Sequence, residues 1–111
     1  MPYRKYKNEP TVVDGISFAS KKEAQRYSEL RLLEKAGAIS ELELQPRFPL
    51  TVFSADGRPA KIATYVADFR YYEHTNRGKS VIVEDTKGMP TPVFKLKRKL
   101  FELIYQPLRM T

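Results

Sequence analysis

Apolar and polar positions alternate with a period of two over several short stretches and follow a helical period over two longer ones, so the chain is predicted to mix strands with helices. Thr11-Val12-Val13 and Ile16-Ser17-Phe18 flank Asp14-Gly15, a dipeptide suited to a two-residue hairpin loop. Ser20-Lys21-Lys22-Glu23 has the form of a capping box, and the helix it opens runs to about Ala36, where Gly37 supplies a stop. Leu42, Leu44, Phe48, Leu50 and Val52 give a strand pattern broken by Pro46, followed by a turn at residues 54–59. Residues 61–72 form one β-rich run, and Ser80 to Lys87 form another strand. Beyond Gly88-Met89-Pro90-Thr91-Pro92 a second helix spans about 93–105, with Leu96, Leu100, Leu103 and Ile104 as its packing stripe. Pro107 ends it, leaving room for a short strand at 108–110. The order is helix, three strands, helix and a final strand. This is one α/β domain with a central mixed sheet over residues 11–111, preceded by a flexible basic arm at 1–10 in which Tyr3 and Tyr6 stand among Arg4, Lys5 and Lys7.

Composition narrows the chemistry. A chain of 111 residues has room for one core. Having no cysteine, it can form neither disulfides nor Cys-based zinc sites, and its single histidine, His74, excludes a His-rich metal site and argues against a His-based triad. No apolar run approaches the ~20 residues needed to cross a bilayer, and the basic N-terminus has no apolar stretch behind it, so neither a membrane span nor a signal peptide is expected. Twenty Lys and Arg against thirteen Asp and Glu give a net charge of +7. Charge of that sign attracts polyanions, because each neutralised phosphate releases counterions. Nucleic acid is therefore favoured over a ribosome-like, membrane-surface or merely basic soluble protein.

Strand parity then singles out candidate residues. In one run Ile62, Thr64, Val66 and Asp68 share a face, opposite Ala63, Tyr65, Ala67 and Phe69. In the next, Val81, Val83, Asp85 and Lys87 share a face, opposite Ile82, Glu84 and Thr86, so Asp85 and Lys87 leave the sheet ~7 Å apart. If the two runs pair as a hairpin, Asp68 comes beside them. Two carboxylates and an ammonium at strand ends are what metal-assisted phosphodiester cleavage needs: magnesium favours carboxylate oxygens, and a nearby lysine can position the attacking water and offset developing charge. A structural salt bridge from Lys87 to Asp68 or Asp85 is the competing reading, and the residues alone leave the two about even. Glu84, on the opposite face, is read as a strand residue paired with a basic group.

Asp68 followed by Val81-Ile-Val-Glu-Asp85-Thr-Lys87 resembles the PD-(D/E)XK signature, with Ala67 in place of its proline. The segments Ser-Lys-Lys-Glu-Ala, Leu-Gln-Pro, Ala-Asp-Phe, Val-Glu-Asp-Thr-Lys-Gly and Thr-Pro-Val-Phe-Lys-Leu-Lys resemble a family of small phage and prophage proteins in that nuclease superfamily, near its Holliday junction resolvase-like members. The resemblance implies a restriction-endonuclease-like core of order α-β-β-β-α-β. It implies catalytic Glu23, Asp68, Asp85 and Lys87, with Mg2+, or Mn2+ in its place, held by Asp68, Asp85 and Glu23. Glu23 by itself reads two ways: it could close the capping box, yet it also lies on the stripe of Tyr27 and Leu30 that faces the core.

Candidate phosphate contacts are Lys95, Arg98 and Lys99 on the second helix, Lys21 and Lys22 on the first, and Gln45, for which bonding to backbone near Pro46 is the competing role. No sequence-reading DNA- or RNA-binding motif is present, so backbone and shape contacts are expected. The expectation is a structure-directed endodeoxyribonuclease acting on Holliday junctions or other branched DNA, homodimeric because junction resolution needs two symmetric cuts. It would work in the cytoplasm of a bacterial host on phage or prophage DNA. The alternatives are an inactive basic DNA-binding module and a nicking or restriction-like nuclease on linear duplex.

Overall fold

In the computed structural model, which describes residues 10–86 and 91–111, the Asp14-Gly15 turn forms as the sequence predicts. Successive positive φ values at Asp14 (53°) and Gly15 (75°) suit the two-residue loop that joins β1 (Thr11–Val13) to β2 (Ile16–Phe18). Ser20 caps α1 (Lys21–Lys35), its Oγ accepting from the Glu23 N–H at 3.2 Å. Gly37, at φ 81°, ends the helix: the Gly37 and Ala38 N–H groups return to the Glu34 and Leu33 carbonyls, the bonds of a Schellman motif. The helix buries Glu23, Ala24, Tyr27 and Leu30, so Glu23 does lie on the inward stripe. Lys87 and all but the last residue of the expected N-terminal arm lie outside the described residues.

The central sheet has the order β3 (Ile39–Leu44), β6 (Phe69–Thr75), β7 (Gly78–Asp85), β8 (Arg109–Met110). The first three strands are antiparallel neighbours, and β8 joins parallel to β7 after the crossover through α2 (Pro92–Ile104). The protein is thus mixed α/β, with a central mixed sheet and two helices. Between β3 and β6 the chain leaves this sheet to form a separate hairpin, β4 (Arg47–Phe53) with β5 (Pro59–Val66). On one side of the sheet, Tyr27 and Leu30 of α1 pack on Phe69 and Tyr71 of β6. On the other, Phe101 of α2 packs with Phe48, Leu50 and Tyr65 of the hairpin and Val83 of β7. Among the described residues no helix is long and apolar enough to cross a membrane.

Three expectations need correcting. Among the described residues five strands, not three, separate the helices, because the chain breaks a strand at Pro46 and again at Ala67-Asp68. The 61–72 run is two strands, and its parity does not carry through: Ala67 is buried with the α2-side core while Phe69 is buried with the α1-side core. The chain changes sheets at Ala67-Asp68, where the Ala67 N–H donates to the Pro46 carbonyl (3.2 Å) and the Asp68 N–H to the Glu84 carbonyl (3.2 Å). Finally, α2 packs through Phe101, fully buried, with Phe94 and Leu100 beside it, whereas Leu96 (62 % exposed), Leu103 (74 %) and Ile104 (40 %) face outward. The helix carries two apolar stripes. The aromatic one wins because its Phe101 ring packs against Phe48 (centroids 4.8 Å) and Tyr65 (5.2 Å), burying more apolar surface per residue.

Candidate active site

Asp85 is the last residue of β7 and is fully buried. Alternation along β7 puts Val83 and Asp85 on the α2 side and Ile82 and Glu84 on the α1 side. The hairpin that would bring Asp68 to this strand is present: β6 pairs with β7 in a register that sets Phe69 against Glu84. Asp68 immediately precedes Phe69 and Asp85 immediately follows Glu84, and the charges of both aspartates bear on Tyr65. Asp68 is buried too, and its main chain is held on both sides, its N–H by the Glu84 carbonyl and its carbonyl by the Gln45 N–H at 2.9 Å. Its Oδ2 accepts from the Thr86 N–H (2.7 Å) and the Thr86 hydroxyl (2.9 Å).

Tyr65 donates its hydroxyl to Asp85 Oδ2. Burial first, then that hydrogen bond and the charges of Asp85 and Asp68, push the Tyr65 phenol far above its ordinary range, so it stays a protonated donor that fixes one carboxylate oxygen. Neither Tyr65 nor Thr86 emerges from the sequence as a candidate. The available signal is a hydroxyl-bearing aromatic in the otherwise apolar Ala63-Tyr65-Ala67 row, and a short hydroxyl as the middle residue of Asp85-Thr86-Lys87.

Glu84 forms a separate centre on the α1 face. It is fully buried and takes a bidentate contact from Arg26, Nε to Oε2 at 2.6 Å and Nη2 to Oε1 at 3.0 Å. Tyr71 donates to Oε1 (2.6 Å) and the Thr111 hydroxyl to Oε2 (3.2 Å). This is the basic partner expected from the sequence, and Glu84 in turn raises the Arg26 pKa. Burial first and then Glu84 push the Tyr71 phenol up to about 12.

Asp68 and Asp85 thus come together. Glu23 is buried in the first turn of α1, but among the described residues no three Asp, Glu or His side chains form a group ready to hold a metal ion. The two aspartates suit a hard divalent cation, which takes carboxylate oxygens and leaves water or phosphate to complete its shell. A pocket of about 280 Å³, lined by Lys22, Gln25, Arg26, Glu29, Thr86 and Thr111, opens beside Thr86.

Of the basic candidates, Lys21, Lys22, Lys95 and Lys99 are exposed. Arg98 is half-buried, 3.7 Å from Glu102 and within electrostatic reach of Tyr65. Lys97, which is not among the candidates drawn from the sequence, points toward β5, its Nζ 3.5 Å from the Thr64 carbonyl. Gln45 is exposed, and its backbone bonds to Asp68.

No curated protein and no solved structure matches the chain. Residues 3–111 match the model of DUF1064, described as a protein of unknown function, and the chain belongs to that family.

Proposed function

We propose that this protein is a metal-dependent endodeoxyribonuclease of the PD-(D/E)XK type. The observation that carries this reading is the pair of buried carboxylates, Asp68 next to Phe69 and Asp85 next to Glu84 where β6 pairs with β7, in a chain of net charge +7. Two acids side by side below the surface call for positive charge between them. A magnesium ion, or manganese in its place, would there polarise the phosphoryl group and activate a water. Asp68 and Asp85 would ligate it, each with one oxygen oriented by a neighbouring hydroxyl. Lys87, two residues beyond Asp85, would position the water and offset charge in the transition state. Glu23, buried in the first turn of α1, would be the third acid of the set.

The order α1, β3, β6, β7, α2, β8, with β4–β5 as an insertion, supports a restriction-endonuclease-like core. Lys95 and Lys99 on α2, with Arg98 and Lys97 beside β5 and Lys21 and Lys22 at the start of α1, would contact phosphates. Branched DNA such as a four-way junction is the substrate class we favour, cut by two copies related by a two-fold axis, on phage or prophage DNA inside a bacterial cell.

The test is cleavage of labelled four-way junction, flap and linear duplex in magnesium, calcium or chelator, for wild type and Asp85→Ala. Metal-dependent cutting that Asp85→Ala abolishes supports the proposal. Wild type that cuts nothing in any metal refutes it, and salt-sensitive DNA binding without turnover would favour the binding module. Cutting that survives Asp85→Ala refutes the site.

A further inference from the structure

Among the described residues, three that are not glycine have positive φ: Asp14 (53°), Glu41 (55°) and Gln45 (50°). Asp14 sits in the β1–β2 turn, where that conformation is what the loop requires. Glu41 falls within the irregularity of β3, between Ser40 and Glu43, where the register with β6 shifts. Gln45 sits at the exit from β3, in neither a two-residue hairpin turn nor a bulge. It also precedes Pro46, a setting that favours φ of about −120° rather than a positive value.

The surroundings impose this conformation. The Gln45 N–H donates to the Asp68 carbonyl at 2.9 Å, and the next residue, Pro46, is fully buried while its carbonyl accepts from the Ala67 N–H at 3.2 Å. A glycine would adopt the same backbone with least strain. In its place stands a long carboxamide that is exposed and makes no hydrogen bond to any described residue, mounted one main-chain hydrogen bond from Asp68. Strained, over-determined residues of this kind cluster at active sites and ligand clamps. The competing role expected for Gln45, its side chain bonding to backbone near Pro46, is not the one seen: the bond there is from its peptide N–H to Asp68.

We infer that Gln45 is a substrate-positioning residue whose carboxamide N–H donates to a phosphate oxygen of the DNA strand lying across Asp68 and Asp85. The inference rests on the nuclease reading above and adds a contact to it. An uncharged amide suits this role, because it gives a direction to the phosphate without placing a cation in competition with the metal. Glutamine contacts to phosphate commonly fix register rather than sequence.

The experiment compares wild type, Gln45→Gly, Gln45→Asn and Asp85→Ala on the substrate that wild type cuts, with thermal melts of each. Gln45→Gly is expected to melt at or above wild type, because glycine accepts positive φ. Its KM is expected to rise about tenfold, the worth of one hydrogen bond to a charged group, with kcat within about threefold. Gln45→Asn, which tolerates the same backbone region and keeps the amide, stays between Gln45→Gly and wild type. Unchanged KM in Gln45→Gly, or a Gln45→Gly melting point below wild type, overturns the inference while leaving the nuclease intact. If wild type cuts nothing, the nuclease reading has failed by itself, and DNA affinity decides: weaker binding by Gln45→Gly supports the contact, equal binding overturns it, and no binding by wild type overturns both.

Discussion

Replacing Arg26 by Met keeps the side-chain stem that covers the sheet but strands the fully buried Glu84 carboxylate, which loses both guanidinium bonds, at 2.6 and 3.0 Å. Breaking a buried pair by removing one partner costs ~3–5 kcal/mol. Two features place this case at the low end. The Arg26 side chain is 22 % exposed, so water partly screened the pair, and Tyr71 and Thr111 still donate to Glu84. The expected cost is about 3 kcal/mol, which for a domain of this size lowers the melting temperature by roughly 10–15 °C. The assay is urea and thermal unfolding followed by far-UV circular dichroism. Adding Glu84→Gln to Arg26→Met removes the stranded charge and should restore at least ~1.5 kcal/mol, a coupling measurable as a double-mutant cycle. If Arg26→Met unfolds within ~1 kcal/mol of wild type, the reasoning that α1 is tied to β7 by a desolvated ion pair is wrong.

The packing of α2 makes opposite predictions for its two apolar stripes. Phe101→Ala should cost ~3–5 kcal/mol in denaturant titrations, while Leu96→Lys and Leu103→Lys should each change stability by no more than ~0.5 kcal/mol; the reverse ranking would return the helix to the packing expected from its leucines. Tyr71 predicts an alkaline limb. Its phenol rises from 10.0 to about 12 on folding, so its contribution is fully present below pH 10 and is lost as pH rises toward 12. Denaturant midpoints across that window should fall more steeply in wild type than in Tyr71→Phe, and parallel slopes would contradict the shift. Tyr65→Phe removes the donor that orients Asp85 and should lower metal-dependent cleavage ~10–100-fold, with part of the loss recovered at higher magnesium; activity equal to wild type would show that Asp85 does not depend on it.

Local chemistry was legible in the sequence wherever neighbouring residues decide the structure. Asp14-Gly15, the Ser20 cap, the Gly37 stop and the α2 boundaries all follow from interactions spanning a few positions. The placement of Asp68 beside Asp85 was conditional on a hairpin, and the β6–β7 register meets that condition. The change of sheet at Ala67-Asp68 was not legible, because it is imposed by the Pro46 and Glu84 carbonyls, both distant along the chain. Period-two parity predicts faces only while a strand stays in one sheet. The inward side of α2 was hidden for a related reason: Phe48 and Tyr65, which form the seat for Phe101, come from strands far earlier in the chain. Within the candidate site, Asp85 followed from pattern, whereas Tyr65 needed the fold to reveal it.

The β4–β5 hairpin has a consequence for how this chain can vary. At its base, the bonds from Gln45 to Asp68 and from Ala67 to Pro46 tie the point where the chain leaves the central sheet to the point where it returns. The spacing of β3 from β6 is therefore set by their own pairing and those two bonds, not by how many residues lie between them. Ser54 to Arg58, at the far end, are exposed, and the cost of loop closure grows only slowly with length. Residues added or deleted at that tip lengthen or shorten an arm while the stapled base, and with it the position of Asp68, stays where it is. The length of the arm and the placement of Asp68 are thus decoupled: related chains can differ in the reach of this arm and share the same geometry at its root.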